Sequence, residues 1–470
     1  MNIDILKKWN EQYLRLSSFN RKARRTLKKR WKKSLLVIAL ALALGVSDAS
    51  AATINVGVTS PGIGAVTIDD TDNICSITEA LQNANDTSGT APNDDCETGD
   101  SATGADGADI ILLPSNSTFT FNGTSPATFL GYGQNALPLI TSNITIEGNG
   151  SVLERMEDPL PPGAPIPDFR IVNILINGNL TVNNSLIRNG DEFQGGCVNV
   201  VGRFELNNSE ISGCNANAFS GGGINNIGNL LISNSLISEN SSAGTSGGIN
   251  HYSYESDAKM DLINSTVSGN TSEFNGGGIA ISLYVGGYEI ITNIINSTIS
   301  NNTTNMDGGG LNINTDIPNI RNSIISGNIS RNSNSNNCNL VGTTINDLGN
   351  NLSDNTGCGF TSPGSFDNDC LGPLAENGVL TRTHALIASG DQQCSTNLAI
   401  DGIPANECVD LQNPAQPIIR DQRGFIRPFP VGGNCDIGSY EFQPLPGSGM
   451  CNMAEIPGDM VDNNGDGESL

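Results

Sequence analysis

Between residues 184 and 338, runs of two to four Ile, Leu or Val are broken by Ser, Thr and Asn, as in Leu230-Leu231-Ile232 and Leu236-Ile237-Ser238. No stretch there sustains the longer apolar stripe of an amphipathic helix. This alternation predicts strands of about four or five residues. The pattern also recurs. Asn-Ser opens a unit at Asn184, Asn208, Asn234, Asn264, Asn296 and Asn322, at spacings of 24, 26, 30, 32 and 26 residues. Glycine clusters follow the first five pairs: Gly195-Gly196-Cys197, Gly221-Gly222-Gly223-Ile224, Gly247-Gly248-Ile249, Gly276-Gly277-Gly278-Ile279 and Gly308-Gly309-Gly310-Leu311. A period in this range marks a solenoid, in which each unit buries its apolar face against the next.

Leucine-rich repeats would show regular Leu spacing and a helical half, and neither is present. Three short strands with polar turns fill about 22 residues. The predicted fold is therefore all-β, a right-handed parallel β-helix, with loops absorbing the longer spacings. In it the glycine clusters stack as one column and the Asn-Ser pairs as another. Stacked Asn side chains can bond along the axis, and Asn tolerates left-handed backbone. Glycine supplies positive φ or close approach between coils.

A stack of coils needs covered ends. Thr53 to Val58 reads as a first strand, and Ser76-Ile77-Thr78-Glu79 is a capping box opening a short helix through Asn85. That helix is a natural lid. Ile110 to Leu113, Thr118 to Phe121 and Ile144 to Ile146 read as strands of the opening turns, with an acidic loop from Asp86 to Asp106. The expected organisation is a signal peptide at 1–51, a cap and first coils at 52–140, repeats at 141–370, a C-terminal cap at 371–446 and an acidic tail at 447–470.

Three segments carry a family resemblance. Cys75-Ser76-Ile77-Thr78-Glu79-Ala80-Leu81 resembles the CSLREA cap of secreted bacterial β-helix proteins, with Thr78 where an Arg is usual. The Gly-Gly-Gly-Ile coils are similar to polymorphic outer-membrane protein repeats. Leu371-Gly372-Pro373-Leu374, Thr383-His384-Ala385-Leu386, Ala399-Ile400-Asp401, Asp421-Gln422-Arg423-Gly424, Arg427-Pro428 and Cys435 to Glu441 resemble the choice-of-anchor Q domain. The resemblance implies a secreted or surface-displayed β-helix without assigned catalysis. His384, Asp421, Arg423 and Asp436 look catalytic in isolation, but Arg423 and the acids are expected to lock the last cap as ion pairs.

The leader changes the charge account. A basic segment from Arg21 to Lys33 precedes an apolar run from Leu35 to Val46 and a small-residue site at Ala49-Ser50-Ala51. This is a secretory layout, too short in its apolar run for a permanent span. The whole chain has 23 Lys+Arg, 48 Asp+Glu and a net charge of −25. Removing residues 1–51, with 12 bases and 3 acids, leaves about −34 and removes both Trp9 and Trp31. Such a surface repels nucleic acid and anionic membranes. All 11 cysteines lie beyond the leader, which suits an oxidising compartment. Cys75–Cys96 and Cys338–Cys358 are expected pairs, and Cys197 and Cys214 sit in neighbouring coils.

Candidate chemistry is sparse. Asn314-Thr315-Asp316 matches one acidic motif of polygalacturonase-like enzymes, but inverting hydrolysis needs a second carboxylate about 6.5–9.5 Å away. The Asp-Asp, Gly-His-Gly and Arg-x-Lys partners of that family do not occur on neighbouring coils. A lyase needs a basic residue beside clustered acids, and Arg188, Arg203, Lys259, Arg321 and Arg331 are scattered. The loop from His251 to Asp257 is the best candidate for a local ligand. Asp462, Asn464 and Asp466, in Asp462-Asn463-Asn464-Gly465-Asp466-Gly467, fit the opening of a calcium loop, because oxygens at alternate positions converge on one ion. No cofactor is otherwise required. The expected function is a non-catalytic secreted or cell-surface scaffold, adhesin-like, bacterial outer-membrane associated, that binds a surface glycan or protein. The alternative is a polysaccharide lyase or hydrolase.

Overall fold

The computed structural model describes residues 52–57, 74–86, 93, 95–97, 109–125, 133–157, 166–254, 256–283, 288–332, 336–360, 366–378, 381–411 and 416–443. The repeats wind into a parallel β-helix of about seven turns, with very little helix. One coil shows the construction: strands Arg203–Asn207, Glu210–Ser212, Asn215–Ala216 and Ile224–Asn226 run around the axis in turn. The next coil repeats them residue for residue, so Phe204 pairs with Leu230, Ile211 with Ile237, Ala216 with Ser242 and Ile224 with Ile249, all in parallel register. The two-residue side-chain period then sends Phe204, Leu206, Leu230, Ile232, Ile211, Ile237 and Ile224 inward, where all but Leu230 are fully buried and that one nearly so.

The Asn-Ser pairs make the corner. Asn184, Asn208, Asn234, Asn264, Asn296 and Asn322 all adopt left-handed backbone with φ between 48 and 54°. The turn points the following Ser inward and leaves its N–H without a strand partner. The next coil supplies one. The N–H of Ser209 donates to Ser235 Oγ at 3.1 Å, that of Ser235 to Ser265 at 3.1 Å, that of Ser265 to Ser297 at 3.3 Å and that of Ser297 to Ser323 at 3.2 Å. Each hydroxyl in turn donates to the carbonyl two residues before it, so these buried backbone N–H groups and hydroxyls are all paired.

A second polar ladder lies in the interior. Asn240, Asn270, Asn302 and Asn328 each donate an amide proton to the Oδ1 of the next rung, at 2.9, 2.8, 2.9 and 3.0 Å, ending on Asn337. The same Oδ1 atoms accept backbone N–H groups from the rung before, as from Asn240 and Asn270. Amides buried this deeply are tolerable because both ends of each group are satisfied.

The glycine clusters stack on one face, as expected. Gly223 donates to Gly247, Gly247 to Gly277 and Gly277 to Gly308, at 3.0, 3.0 and 3.1 Å. Two demands explain them. The first position is left-handed, with φ of 73° at Gly221 and 71° at Gly308, and Ser246 takes that place at 58°. The second position packs against backbone: a Cβ on Gly222 would lie 2.2 Å from the Ser241 carbonyl oxygen.

Helix α1, Ile77–Asn85, begins on a capping box with both arms formed, Glu79 N to Ser76 Oγ at 3.2 Å and Ser76 N to Glu79 Oε2 at 2.8 Å. Its Ile77, Ala80, Leu81 and Ala84 join the main core. No helix among the described residues is long and apolar enough to cross a membrane. Five disulfides join Cys75 to Cys96, Cys197 to Cys214, Cys338 to Cys358, Cys370 to Cys394 and Cys408 to Cys435. Cys451 and the leader lie outside the described residues.

The C-terminal segment departs from the expected position. Read as a cap, it should lie across the last coil. The described residues between 371 and 443 instead run down the flank of the stack. Arg382 reaches Glu210, His384 meets Ser268, Gln422 meets Thr266, Gly438 donates to Asn322 and Ser439 contacts Thr298. A second apolar core of Ile324, Leu352, Phe366, Leu386, Ile403 and Ile437 fills the seam. The last coils are closed by residues 338–360, where Leu340, Ile345 and Phe360 pack on the main core beside the Cys338–Cys358 bond. The outward positions of this flank explain the placement: Leu236, Thr266, Thr298 and Ile324 offer too little charge to face water.

Candidate functional site

The single-residue candidates are mostly internal. His251, read as part of an exposed loop, stands on strand Ile249–Ser253 at the inward register position of Asn226 and Ile281, and is fully buried. Asn226 donates to its Nδ1 at 2.8 Å, and burial pushes its pKa down to about 4. The strand continues into what the repeat pattern assigned to the loop. Tyr252 turns outward to Gln194 at 3.2 Å, and Tyr254 is exposed.

His384 holds a nucleophile-like geometry without access. Its Nδ1 donates to the Gly372 carbonyl at 2.8 Å, and Ser268 Oγ sits 2.8 Å from Nε2. Both side chains are buried in the seam between flank segment and coils, so the pair serves as a staple. Asp316 follows strand Leu311–Asn314, and burial raises its pKa. The Thr292 hydroxyl and Ile317 backbone oppose that shift, and among the described residues no second carboxylate acts on it. Most of the scattered bases are tied to acids: Arg188 to Glu154 at 2.6 Å, Lys259 to Asp261 at 2.6 Å, Arg321 to Glu407 at 3.8 Å and Arg203 to Glu205. Asp462, Asn464 and Asp466 lie outside the described residues.

The acids and arginines of the flank segment form its internal lock, as expected. Arg423 pairs with Asp421 at 2.6 Å and stacks over Tyr440 at 3.5 Å. Arg427 pairs with Glu441 at 3.0 Å, with both side chains fully buried. Burial, with Glu441 beside it, pushes the Asp436 carboxyl up to about 7, although it accepts the Asp401 N–H at 2.7 Å. Folded protein therefore binds a proton here that the unfolded chain releases near the ordinary carboxylate pKa. The resulting stability is full below about pH 4 and is lost as pH rises through about 7, by at most about 1.4 kcal/mol per pH unit. Calorimetry from pH 5 to 8 should show the melting temperature of the flank segment falling, and Asp436→Asn should flatten that slope.

One feature with surface access is a groove of about 360 Å³ on the face formed by strands Asn215–Ala216, Ser241–Ser242, Thr271–Ser272 and Thr303–Thr304. Its rungs Asn215, Ser241, Thr271 and Thr303 stand in register on successive coils. Ser241 donates to Asn215 at 2.9 Å, whereas the Thr271 and Thr303 hydroxyls have no partner among the described residues. Glu273 and Arg331 are joined through Asn305, at 2.6 and 3.2 Å.

Beyond the polar rungs, three of these coils turn toward their glycines through an exposed apolar residue. Phe219, Phe274 and Met306 are 59, 51 and 41% exposed. Phe193 meets Phe219 edge to face at 5.9 Å, and Phe219 donates its N–H to the Phe193 carbonyl at 2.7 Å. The column is interrupted at Gly244, where a Cβ would lie 1.9 Å from the Phe219 carbonyl oxygen. One rung before Asn215, Asp191 accepts from Asn217 at 3.0 Å, and Asn217 also bonds Asp168 at 3.1 Å. Burial, then the charge of Asp168, raises the Asp191 pKa. No motif in the sequence marks this face. Its signal was an apolar residue two places before the first glycine, at Phe193, Phe219, Phe274 and Met306.

A cleft of about 630 Å³ lies where the flank segment ends, lined by Arg188, Glu210, Glu239, Glu376 and Arg382. Arg382 spans it, bonding Glu210 at 2.6 Å and Glu239 at 3.1 Å, so its charges are largely spent on one another. Among the described residues no group of three His, Cys, Asp or Glu side chains could hold a metal ion. No family model matches the chain, and neither the curated proteins nor the solved structures contain a significant match to it.

Proposed function

We propose that the mature chain is a non-catalytic β-helix, secreted or displayed at a bacterial cell surface, that presents a binding face as an adhesin-like or matrix scaffold. The observation that carries this reading is the contrast between interior and groove. Titratable groups with shifted pKa values, His251, His384, Asp436 and Glu441, are buried as structural partners. The accessible groove offers hydroxyls and amides with a Glu273–Arg331 pair bridged by Asn305, groups that recognise rather than react. Five disulfides favour an oxidising, extracellular setting. The partner in this reading is a surface glycan or protein, not nucleic acid. Calcium, where bound, belongs to the tail through Asp462, Asn464 and Asp466.

One observation favours the enzyme alternative: Asp168 and Asp191 converge on Asn217, one rung beyond the groove residue Asn215, and the raised pKa of Asp191 suits an acid. The test is depolymerisation. Purified protein with calcium should release no reducing ends or unsaturated products from pectin, alginate or neutral glucans. Asp316→Asn and Asp191→Asn should be indistinguishable from the parent. Cleavage that disappears in either variant would make the chain a polysaccharide-degrading enzyme.

A further inference from the structure

We infer that the groove over Asn215, Ser241, Thr271 and Thr303 binds a neutral, unbranched polysaccharide lying along the helix axis. The inference rests on the non-catalytic reading above and names the ligand class such a face would take. Three observations carry it.

The first is the ladder. Parallel strands in register place one hydroxyl or amide on each coil, at a spacing of about 4.8 Å. A polymer that repeats its own hydroxyls along a line meets a hydrogen-bonding group at each step. Thr271 and Thr303 have hydroxyls free to make those bonds, because nothing in the described protein uses them.

The second is the apolar edge. A pyranose ring has faces of C–H bonds and a rim of hydroxyls. Phe219, Phe274 and Met306 expose apolar surface just beyond the groove lining, Phe274 next in sequence to Glu273 and Met306 next to Asn305. Hydroxyl rungs with an exposed apolar column beside their groove offer a partner for both parts of a sugar ring. Aromatic side chains supply large contact area with little entropy to lose. An unbranched peptide would satisfy the hydroxyls but has no repeating apolar face at this spacing.

The third is charge. The chain carries −25 overall, yet within this groove Glu273 and Arg331 compensate each other through Asn305. A polyanion would find no spare cation here and would be repelled by the surrounding surface. A neutral chain suffers neither penalty.

The experiment is calorimetric titration of the full-length secreted protein with cellohexaose, xylohexaose and hexagalacturonate, at low and high salt. One of the neutral hexasaccharides should bind, with an affinity insensitive to salt. The pair Phe219→Ala and Phe274→Ala should weaken it about tenfold, and the pair Phe219→Tyr and Phe274→Tyr should restore it. Thr271→Val should weaken it further without changing the melting temperature. Preference for hexagalacturonate, neutral binding untouched by the double alanine variant, or no neutral binding would each overturn the inference. The two readings fail separately. Absence of neutral binding leaves the scaffold reading standing, whereas binding followed by cleavage removes that reading and keeps the ligand class.

Discussion

Gly222→Ala is expected to prevent folding of the central coils, while Gly123→Ala leaves stability unchanged or slightly higher. The two changes add the same methyl group. At Gly222 it would meet the Ser241 carbonyl oxygen at 2.2 Å and the Gly247 carbonyl oxygen at 2.3 Å. Both obstacles are backbone, and both belong to the next coil, so relief requires opening the stack. Overpacking that displaces side chains costs about 1–3 kcal/mol, and separating hydrogen-bonded backbone should exceed that range. At Gly123 nothing lies within 4 Å of the added atom. Gly123 is also absent from the left-handed positions, so removing unfolded-state freedom should stabilise by about 0.4–1 kcal/mol. Soluble yield and denaturant midpoints of the two variants would decide the matter. Equal midpoints would mean that the glycine column is not held by coil-to-coil approach.

Arg427→Met should release the flank segment while leaving the β-helix wound. Arg427 is fully buried and bonds Glu441 at 3.0 Å, Asn264 at 3.2 Å and the Gly438 carbonyl at 2.9 Å. The variant strands the Glu441 carboxylate in a fully buried site. Removing one partner of a buried pair typically costs about 3–5 kcal/mol. Limited proteolysis should then cut within 371–443, and calorimetry should show an early transition ahead of the main one. The double variant Arg427→Met with Glu441→Leu should recover part of the loss, because no charge is left unpaired. An unchanged thermogram would show that the segment is held by its apolar seam and disulfides alone.

The legible part of this molecule is what repeats. Asn208 and Gly222 recur because each coil meets the same steric demand at the same corner, and six occurrences expose a rule that one would hide. What the repeat did not encode was harder to read. His251 fell outside the pattern because its coil carries two extra strand residues, Tyr252 and Ser253, and the reading began the loop too early. The flank segment was misplaced for a different reason. Its motif marks internal pairing, such as Arg423 with Asp421, and says nothing of the surface it lies on. The evidence for that surface was the low charge at outward positions Leu236, Thr266, Thr298 and Ile324, which is visible only once strand register is known. The groove was hidden likewise, because Thr271 and Thr303 become neighbours only through pairing 32 residues apart.

The flank segment also changes how the coils can come apart. A solenoid with only nearest-neighbour couplings behaves as a one-dimensional chain, and it can melt gradually from either end. Here a single disulfide-bonded body grips the rung of Glu210 through Arg382 and that of Asn350 through Glu407. Coils that do not touch are thereby coupled. Fraying that starts at the C-terminal coil must detach this body before the next coil gains freedom, so the intermediate states rise in energy together. The coils between these rungs are bound into one cooperative unit, and gradual melting is left to the turns that precede Glu210.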